Sequence, residues 1–503
     1  MRHRVWTTML SLGATLLAAP TMAQVVQTRS GPVSGITEGG VSSFKGIPYA
    51  AAPVGANRWR APQPVKGWHA VRDGSRYGAD CAQAPFPPDA APIRTAPSED
   101  CLYLNVWKPA GAKPGAKLPV MVWIHGGGFV NGGSSPAVYS GQNFARDGVI
   151  LVSINYRLGR FGFFAHPGLT VEGGGGNFGF LDQIAALEWV KANIARFGGD
   201  PARVTVFGES AGGMSVHMLL QTPLARGLFA RAIIESGGGR DGTLPMPDKA
   251  KAAEIGMAFA PAATAAQLRA MPEAVVVGDL SMMTMAQPGY SGPMVDRQTI
   301  FGPSVDMIAA GRYARVPVIV GANSADGFPF VTDKDKVFAE LGAEEAEARR
   351  LYDPDGKASG VMLATAISAD RMFIEPARAV ARALAARGTS VWLYRFAHNG
   401  VKMGVGMGGA PHASELPYVF DLPALRPDQI DTGQDVAVAQ KTHAYWVNFG
   451  KYGHPEGKAH SLRWPAAAAD DTKVFVIGTD GHGYRDDPRR ATVDFAERRA
   501  AGN

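Results

Sequence analysis

The sequence predicts an α/β protein built on a large, mostly parallel central sheet with helices on both faces, and three observations predict it. Short β-rich runs of near-continuous apolar character recur along the chain, as strands buried on both faces require. Helical patterns lie between them, and that alternation suits a parallel sheet. One run, Val204-Thr-Val-Phe207, leads directly into Gly208-Glu-Ser-Ala-Gly212, which sets a serine between glycines at a strand-to-helix turn.

The chain begins with basic MRHR, an apolar run VWTTMLSLGATLLA too short for a stable membrane span, and a small-x-small site at Thr21-Met22-Ala23. Residues 1–23 are therefore expected to be a secretory signal peptide cleaved after Ala23, with a membrane anchor as the alternative. The expected destination is export, periplasmic or secreted, and no membrane anchor is expected. Residues 24–503 read as one catalytic domain, because no repeat and no linker interrupts them. At 46% hydrophobic and 19% charged, the 503-residue chain can bury a large core. Its formal charge of +6 falls to +4 without the leader, and no Lys/Arg block of five occurs, so a nucleic-acid partner is not expected. Only two cysteines are present, Cys81 and Cys101. In an exported chain that invites pairing, worth roughly 3 kcal/mol through loop closure; two free buried thiols are the alternative.

The strand candidates, in order, are Val120–Ile124, Val149–Ile154, Val204–Phe207, Ala232–Glu235, Val316–Val320 and Val391–Phe396. Leu181, Ile184, Leu187, Val190, Ile194 and Phe197 share a helical face, and Gly198-Gly199 should stop that helix. Segments 370–388 and 436–450 also read as helices, 260–270 as a helix and 465–471 as a surface loop. Region 240–300 fits no regular pattern and is expected to be an insertion over the sheet.

A serine at a sharp strand-to-helix turn projects above the sheet, and Gly208 and Gly212 remove the β-carbons that would collide there. MSVHMLL (214–220) can continue as the helix whose N-terminus faces a developing anion. A serine nucleophile also needs a base and donors for its oxyanion. His125-Gly-Gly-Gly-Phe129 follows a strand candidate directly, and its glycines allow backbone N–H groups to turn inward, each worth about 3 kcal/mol of barrier. A ligand-free glycine loop is the alternative.

Five stretches then combine: EDCLYLNV (99–106), the HGGGF loop, NYRLGRFGFF (155–164), GNFGFLDQIAALEWVKANIARFGGDPARVTVFGESAGG (176–213) and HASELPYVF (412–420). Together with FKGIPYAAAPVGANRWRAPQP (44–64), they resemble the type-B carboxylesterase/cholinesterase family over about residues 25–480. The resemblance implies an α/β-hydrolase fold, with irregular insertions over the active site, and hydrolysis of carboxylic esters through an acyl-enzyme. It implies Ser210 as nucleophile, His412 as general base, and Gly127, Gly128 and Ala211 as backbone oxyanion donors. Ala413 stands where the family carries glycine. Cys81 and Cys101 match the family's first disulfide. The acid is implied at Asp326, one methylene shorter than the usual glutamate, in VPVIVGANSADGFPF (316–330). Ser210, Asp326, His412 is the chain order this fold requires. Glu415, nearer His412 in sequence, is the alternative orienter.

The other polar groups have plainer readings. His125 reads as part of the oxyanion loop, His217 as packed, and Glu209 as a buried, hydrogen-bonded acid. His443, His454 and His460 match no motif, and GGGG (173–176) lacks the spacing of a phosphate loop. No metal-ligand pattern appears, and neither a metal nor a cofactor is expected. The expected partner is a small-molecule ester. The loop between the cysteines holds Phe86 and no tryptophan, which argues against specific choline-ester turnover, while Phe129 and Phe330 are expected beside the pocket. A specialised hydrolase of a bulky ester (mycotoxin, polyester or carbamate) is the alternative. A non-catalytic binding member of the family would lack the serine that stands here.

Overall fold

The computed structural model describes residues 21–22, 25–170, 176–240, 243–244, 246–285, 287–400, 408–425, 433–457 and 463–502. The proposed cleavage after Ala23, the GGGG run apart from Gly176, and His460 lie outside the described residues.

The centre is a 12-stranded sheet. In chain order its strands are β1 (Thr21–Met22), β2 (Ile36–Glu38), β3 (Val41–Pro48), β4 (Tyr103–Pro109), β5 (Leu118–Ile124) and β6 (Ile150–Ile154). Then come β7 (Gly199–Glu209), β8 (Arg231–Glu235), β9 (Val318–Asn323), β10 (Val391–Ala397), β11 (Lys473–Gly478) and β12 (Gly481–Asp486). They lie in the order β1-β2-β3-β4-β6-β5-β7-β8-β9-β10-β11-β12. The run from β6 to β11 is parallel, and antiparallel pairs close both ends. All six predicted strands belong to that parallel run.

The continuous apolar runs are explained by two cores, one on each face. Along β5 to β10, Trp123, Phe207, Ile233, Ile319 and Trp392 are paired neighbour to neighbour in one row. That row belongs to one cluster, whereas the alternate residues Val122, Ile124, Val206, Ile234 and Val320 belong to another. Successive side chains point to opposite faces, and here both faces are covered. Each fully buried large side chain contributes roughly 1.5–3 kcal/mol.

The helix α1 (Phe178–Asn193) continues as a short 3-10 turn, Ile194–Phe197, and ends at Gly198, whose φ of +94° a side chain would oppose. It is buried beyond the predicted face: Asp182 is also inside, held by Arg157 through two bonds of 2.8 Å. That pair ties the NYR segment to the helix. Downstream, α2 (Ala211–Gln221), α3 (Glu375–Ala386) and α4 (Gln434–Tyr452) complete the main cover. A π-helical turn, Asp370–Ile374, precedes α3 in the segment read as helix. Region 240–300 holds short helices at Lys249–Met257, Ala265–Arg269 and Glu273–Val277, packed as an insertion beside α1 and the NYR segment.

Candidate active site

Strand β7 delivers Ser210 to the C-terminal edge of the sheet, where open α/β sheets gather their sites. Its φ of +56° and ψ of −122° are strained for a residue bearing a β-carbon. The bend is pinned from both sides: Ser210 N donates to Glu235 O at 2.9 Å, and Met214 N donates to Ser210 O at 2.9 Å. The flanking glycines are compulsory. A β-carbon on Gly208 would stand 2.6 Å from the Gly212 carbonyl carbon, and one on Gly212 only 2.0 Å from Ile124 O.

The glycine loop after β5 packs on this bend, since a β-carbon on Gly126 would lie 3.0 Å from Ser210 Cβ. Peptide planarity fixes where its N–H groups point, because C=O and the following N–H face opposite ways in a trans peptide. Gly126 O is taken by His125 Nδ1 at 2.9 Å, which turns the Gly127 N–H away from His125. Gly127 O accepts from Val130 N at 3.1 Å and Asn131 N at 2.9 Å, which turns the Gly128 N–H the other way. Burial holds His125 near pKa 4, so it is neutral and Nδ1 carries the proton given to Gly126. Its ring stacks on Tyr156 at 4.4 Å, and Tyr156 Oη donates to His125 O at 2.9 Å. Ala211 opens α2, where a helix leaves its first N–H groups unpaired.

On the other side, His412 Nδ1 lies 2.6 Å from Asp326 Oδ1. The other carboxylate oxygen of Asp326 accepts from Ser236 Oγ at 2.6 Å and Asn323 N at 2.7 Å. Ala325 N bonds directly to Ala410 O at 2.9 Å, which holds the Asp326 loop against the segment that carries His412. His412 Nε2 faces the elbow, 3.2 Å from Glu209 Oε1. Phe373 stacks on the imidazole at 5.0 Å, and Phe328 meets it edge-on at 5.1 Å. Ala413 sits at φ +61°, a left-handed conformation that glycine would adopt without strain.

Three buried carboxylates act on this histidine, Glu209, Asp326 and Glu415, and a fourth, Glu235, is buried beside Glu209 and Glu415. Burial opposes the imidazolium, but the charges of Glu209 and Asp326, the Asp326 hydrogen bond and Glu415 together raise His412 to about 9. Burial, then Glu415 and Asp326, push Glu209 well above the usual carboxylate range, while His412 pulls it down. Glu415 is lifted to about 7, by burial first and Asp326 second. Chemically, an imidazole whose Nδ1 is held by a carboxylate offers Nε2 as a proton acceptor.

Asp326, not Glu415, meets the imidazole; Glu415 instead accepts from Asn323 Nδ2. Cys81 and Cys101 are disulfide-bonded. Glu209 is buried as expected, yet it contacts His412 rather than serving only the packing. His217 is packed, with Nε2 3.2 Å from Gly238 O. Phe129 is wholly buried among Phe163 and Phe180, and Phe330 stands 77% exposed. Ser236 and Phe373 were missed. Ser236 had a signal, a serine ending the strand beside β7; Phe373 had none, because a π-turn sets its direction. A cavity of about 530 Å3 opens beside Phe328, walled by Phe330, Val331, Ile367 and Phe495.

The carboxylesterase family profile matches residues 22–496. Fumonisin B1 esterase of Sphingopyxis macrogoltabida is 36% identical over 92% of this chain and 88% of its own. Para-nitrobenzyl esterase of Bacillus subtilis (strain 168) is 36% identical over 91% of this chain and 95% of its own. A solved structure of PNB esterase superposes with a TM-score of 0.80 at 34% identity, covering 93% of this chain and 99% of that one.

Proposed function

Because this chain belongs to the carboxylesterase family and is a carboxylic ester hydrolase, we propose that it works through Ser210, His412 and Asp326 by way of an acyl-enzyme. One observation carries this reading. His412 is gripped at Nδ1 by Asp326 while its Nε2 lies 3.2 Å from Glu209 Oε1, in the residue that directly precedes Ser210 on the strained bend. Ser210 Oγ attacks the ester carbonyl as His412 takes its proton. Asp326 keeps the imidazole in the required tautomer and stabilises its charge. The N–H groups of Gly127, Gly128 and Ala211 receive the oxyanion. The alcohol leaves with the proton from His412, and the same histidine then activates the water that releases the acid.

The leader-like start, with just two cysteines, both in the Cys81–Cys101 disulfide, supports export. Small to medium carboxylic esters are the first substrate class. A second reading, a bulky ester, is favoured by one relative, which carries the name fumonisin B1 esterase.

Ser210→Ala is expected to lower kcat on the order of 10⁶-fold with the fold intact, and the wild-type Ser210 peptide should carry the acyl mass after quenching. Retention of most turnover would falsify the assignment. A panel of nitrophenyl esters of rising acyl length, with bulky polyol esters beside it, separates the two substrate readings.

A further inference from the structure

The direction of the Gly127 and Gly128 N–H groups depends on contacts that lie outside the glycine loop. Gln83, two residues into the disulfide loop, grips Gly132 on both sides of its backbone. Gly132 N donates to Gln83 Oε1 at 2.9 Å, and Gln83 Nε2 donates to Gly132 O at 2.7 Å. The same amide nitrogen donates to Cys81 O at 2.9 Å, so Gln83 is braced against the disulfide itself. Gly132 is packed against the peptide that aims the Gly127 N–H. A β-carbon there would lie 2.6 Å from His125 Nδ1 and 2.7 Å from Gly126 O. A displacement of Gly132 is thus transmitted to the Gly126–Gly127 peptide.

Asn131 does the equivalent for Gly128. Its backbone N–H is one of the two donors that hold Gly127 O. Its fully buried side chain donates to Ala84 O at 2.9 Å and accepts from Met282 N at 2.9 Å. One amide therefore spans from the disulfide loop to the insertion, across the back of the glycine loop. Asp80 extends the brace, accepting from Ser135 Oγ at 2.5 Å and Ser135 N at 3.3 Å.

We propose that Gln83 and Asn131 are positioning residues that hold the Gly127 and Gly128 N–H groups at the angle the oxyanion needs. This rests on the hydrolytic reading above. Neither residue touches the ester. Their effect is geometric, and it appears only when charge develops on the carbonyl oxygen.

Gln83→Met keeps the length and removes the amide. Its kcat per titrated active site should fall about 10- to 100-fold, the cost of a small misplacement near the chemistry. KM for p-nitrophenyl butyrate should stay within about twofold, because the ground state does not use the oxyanion donors. Affinity for a trifluoromethyl ketone, which forms an oxyanion on the serine, should fall in the same proportion as kcat. Asn131→Ser provides a second route with the same expected pattern if Gln83→Met fails to fold. An unchanged kcat per site in a folded variant overturns the proposal, as does a loss of kcat that ketone affinity does not follow. Ser210→Ala run in parallel separates the readings: if it still turns over, the nucleophile assignment fails, whatever Gln83 does.

Discussion

The two walls that flank Ser210 are built by different means. The glycine-loop wall is held by neutral groups, peptide by peptide: His125 on Gly126 O, backbone N–H groups on Gly127 O, Gln83 on both sides of Gly132. The histidine wall is held by charge. The charges of Asp326, Glu209 and Glu415 all act on one imidazole, and among the described residues Glu209 Oε1, Glu235 Oε2 and Glu415 Oε1 lack any hydrogen-bond partner. Neutral bonds keep their strength across the pH range of a hydrolase, whereas a cluster of shared protons does not. Damage to either wall should lower kcat, but only damage to the histidine wall should move the pH profile.

The largest effect separating the walls is expected from Asp326→Asn, at about 10⁴-fold in kcat. Asp326 Oδ2 accepts from Ser236 Oγ and Asn323 N. An amide would turn its oxygen toward those two donors and its NH2 toward His412. Nδ1 would then accept, the proton would move to Nε2, and the face toward Ser210 would no longer take a proton. Steady-state kinetics measure the loss, and a kcat within tenfold of wild type would mean that another acid orients the imidazole.

Next comes Gly127→Ala, at about 10²- to 10³-fold in kcat, the cost of one oxyanion donor. Gly127 has φ +99°, and its β-carbon would meet Asn131 O at 2.2 Å, so the loop must open. Because the substitution changes no charge, the acid limb of kcat/KM should keep its midpoint. A shifted midpoint would show that the two walls are electrostatically joined.

The sequence carried the sheet and the elbow because both follow from local rules. A doubly buried strand must be apolar throughout, and a serine on a cramped bend must have glycines two residues away on either side. Gly208 and Gly212 announce that bend without any knowledge of the rest of the chain. β7 extends beyond its apolar run at both ends, whereas β9 starts two residues into its run and ends three residues past it, as the pairing with neighbours decides where a strand starts and stops. The Asp326–His412 contact had to come from family resemblance, since 86 residues separate the partners. Gln83 and Phe373 were illegible for a related reason, and Ser236 showed only its place at the end of a strand. An amide, a hydroxyl and a ring carry no periodic signal, and what each does depends on which loop the fold sets opposite it.

The smallest and most discriminating change is Glu209→Gln. Glu209 Oε1 lies 3.2 Å from His412 Nε2, the nitrogen that the proposed mechanism needs free to accept from Ser210. A negative charge there favours the imidazolium and raises the histidine, whose value of about 9 sits above the ordinary 6.5. The folded histidine is thus protonated, and inactive as a base, over a wider range than an isolated one. Where Glu209 carries that charge, removing it destabilises the protonated form and the His412 pKa falls. The acid limb of kcat/KM should therefore move to lower pH, by about one unit for an opposite charge at this distance. Near pH 6 the variant should lose less activity relative to its own plateau than the wild type does. A pH–rate profile from about pH 5 to 10 measures this. If the limb stays fixed or climbs, Glu209 is already neutral beside the ring and the histidine wall is governed by Asp326 alone.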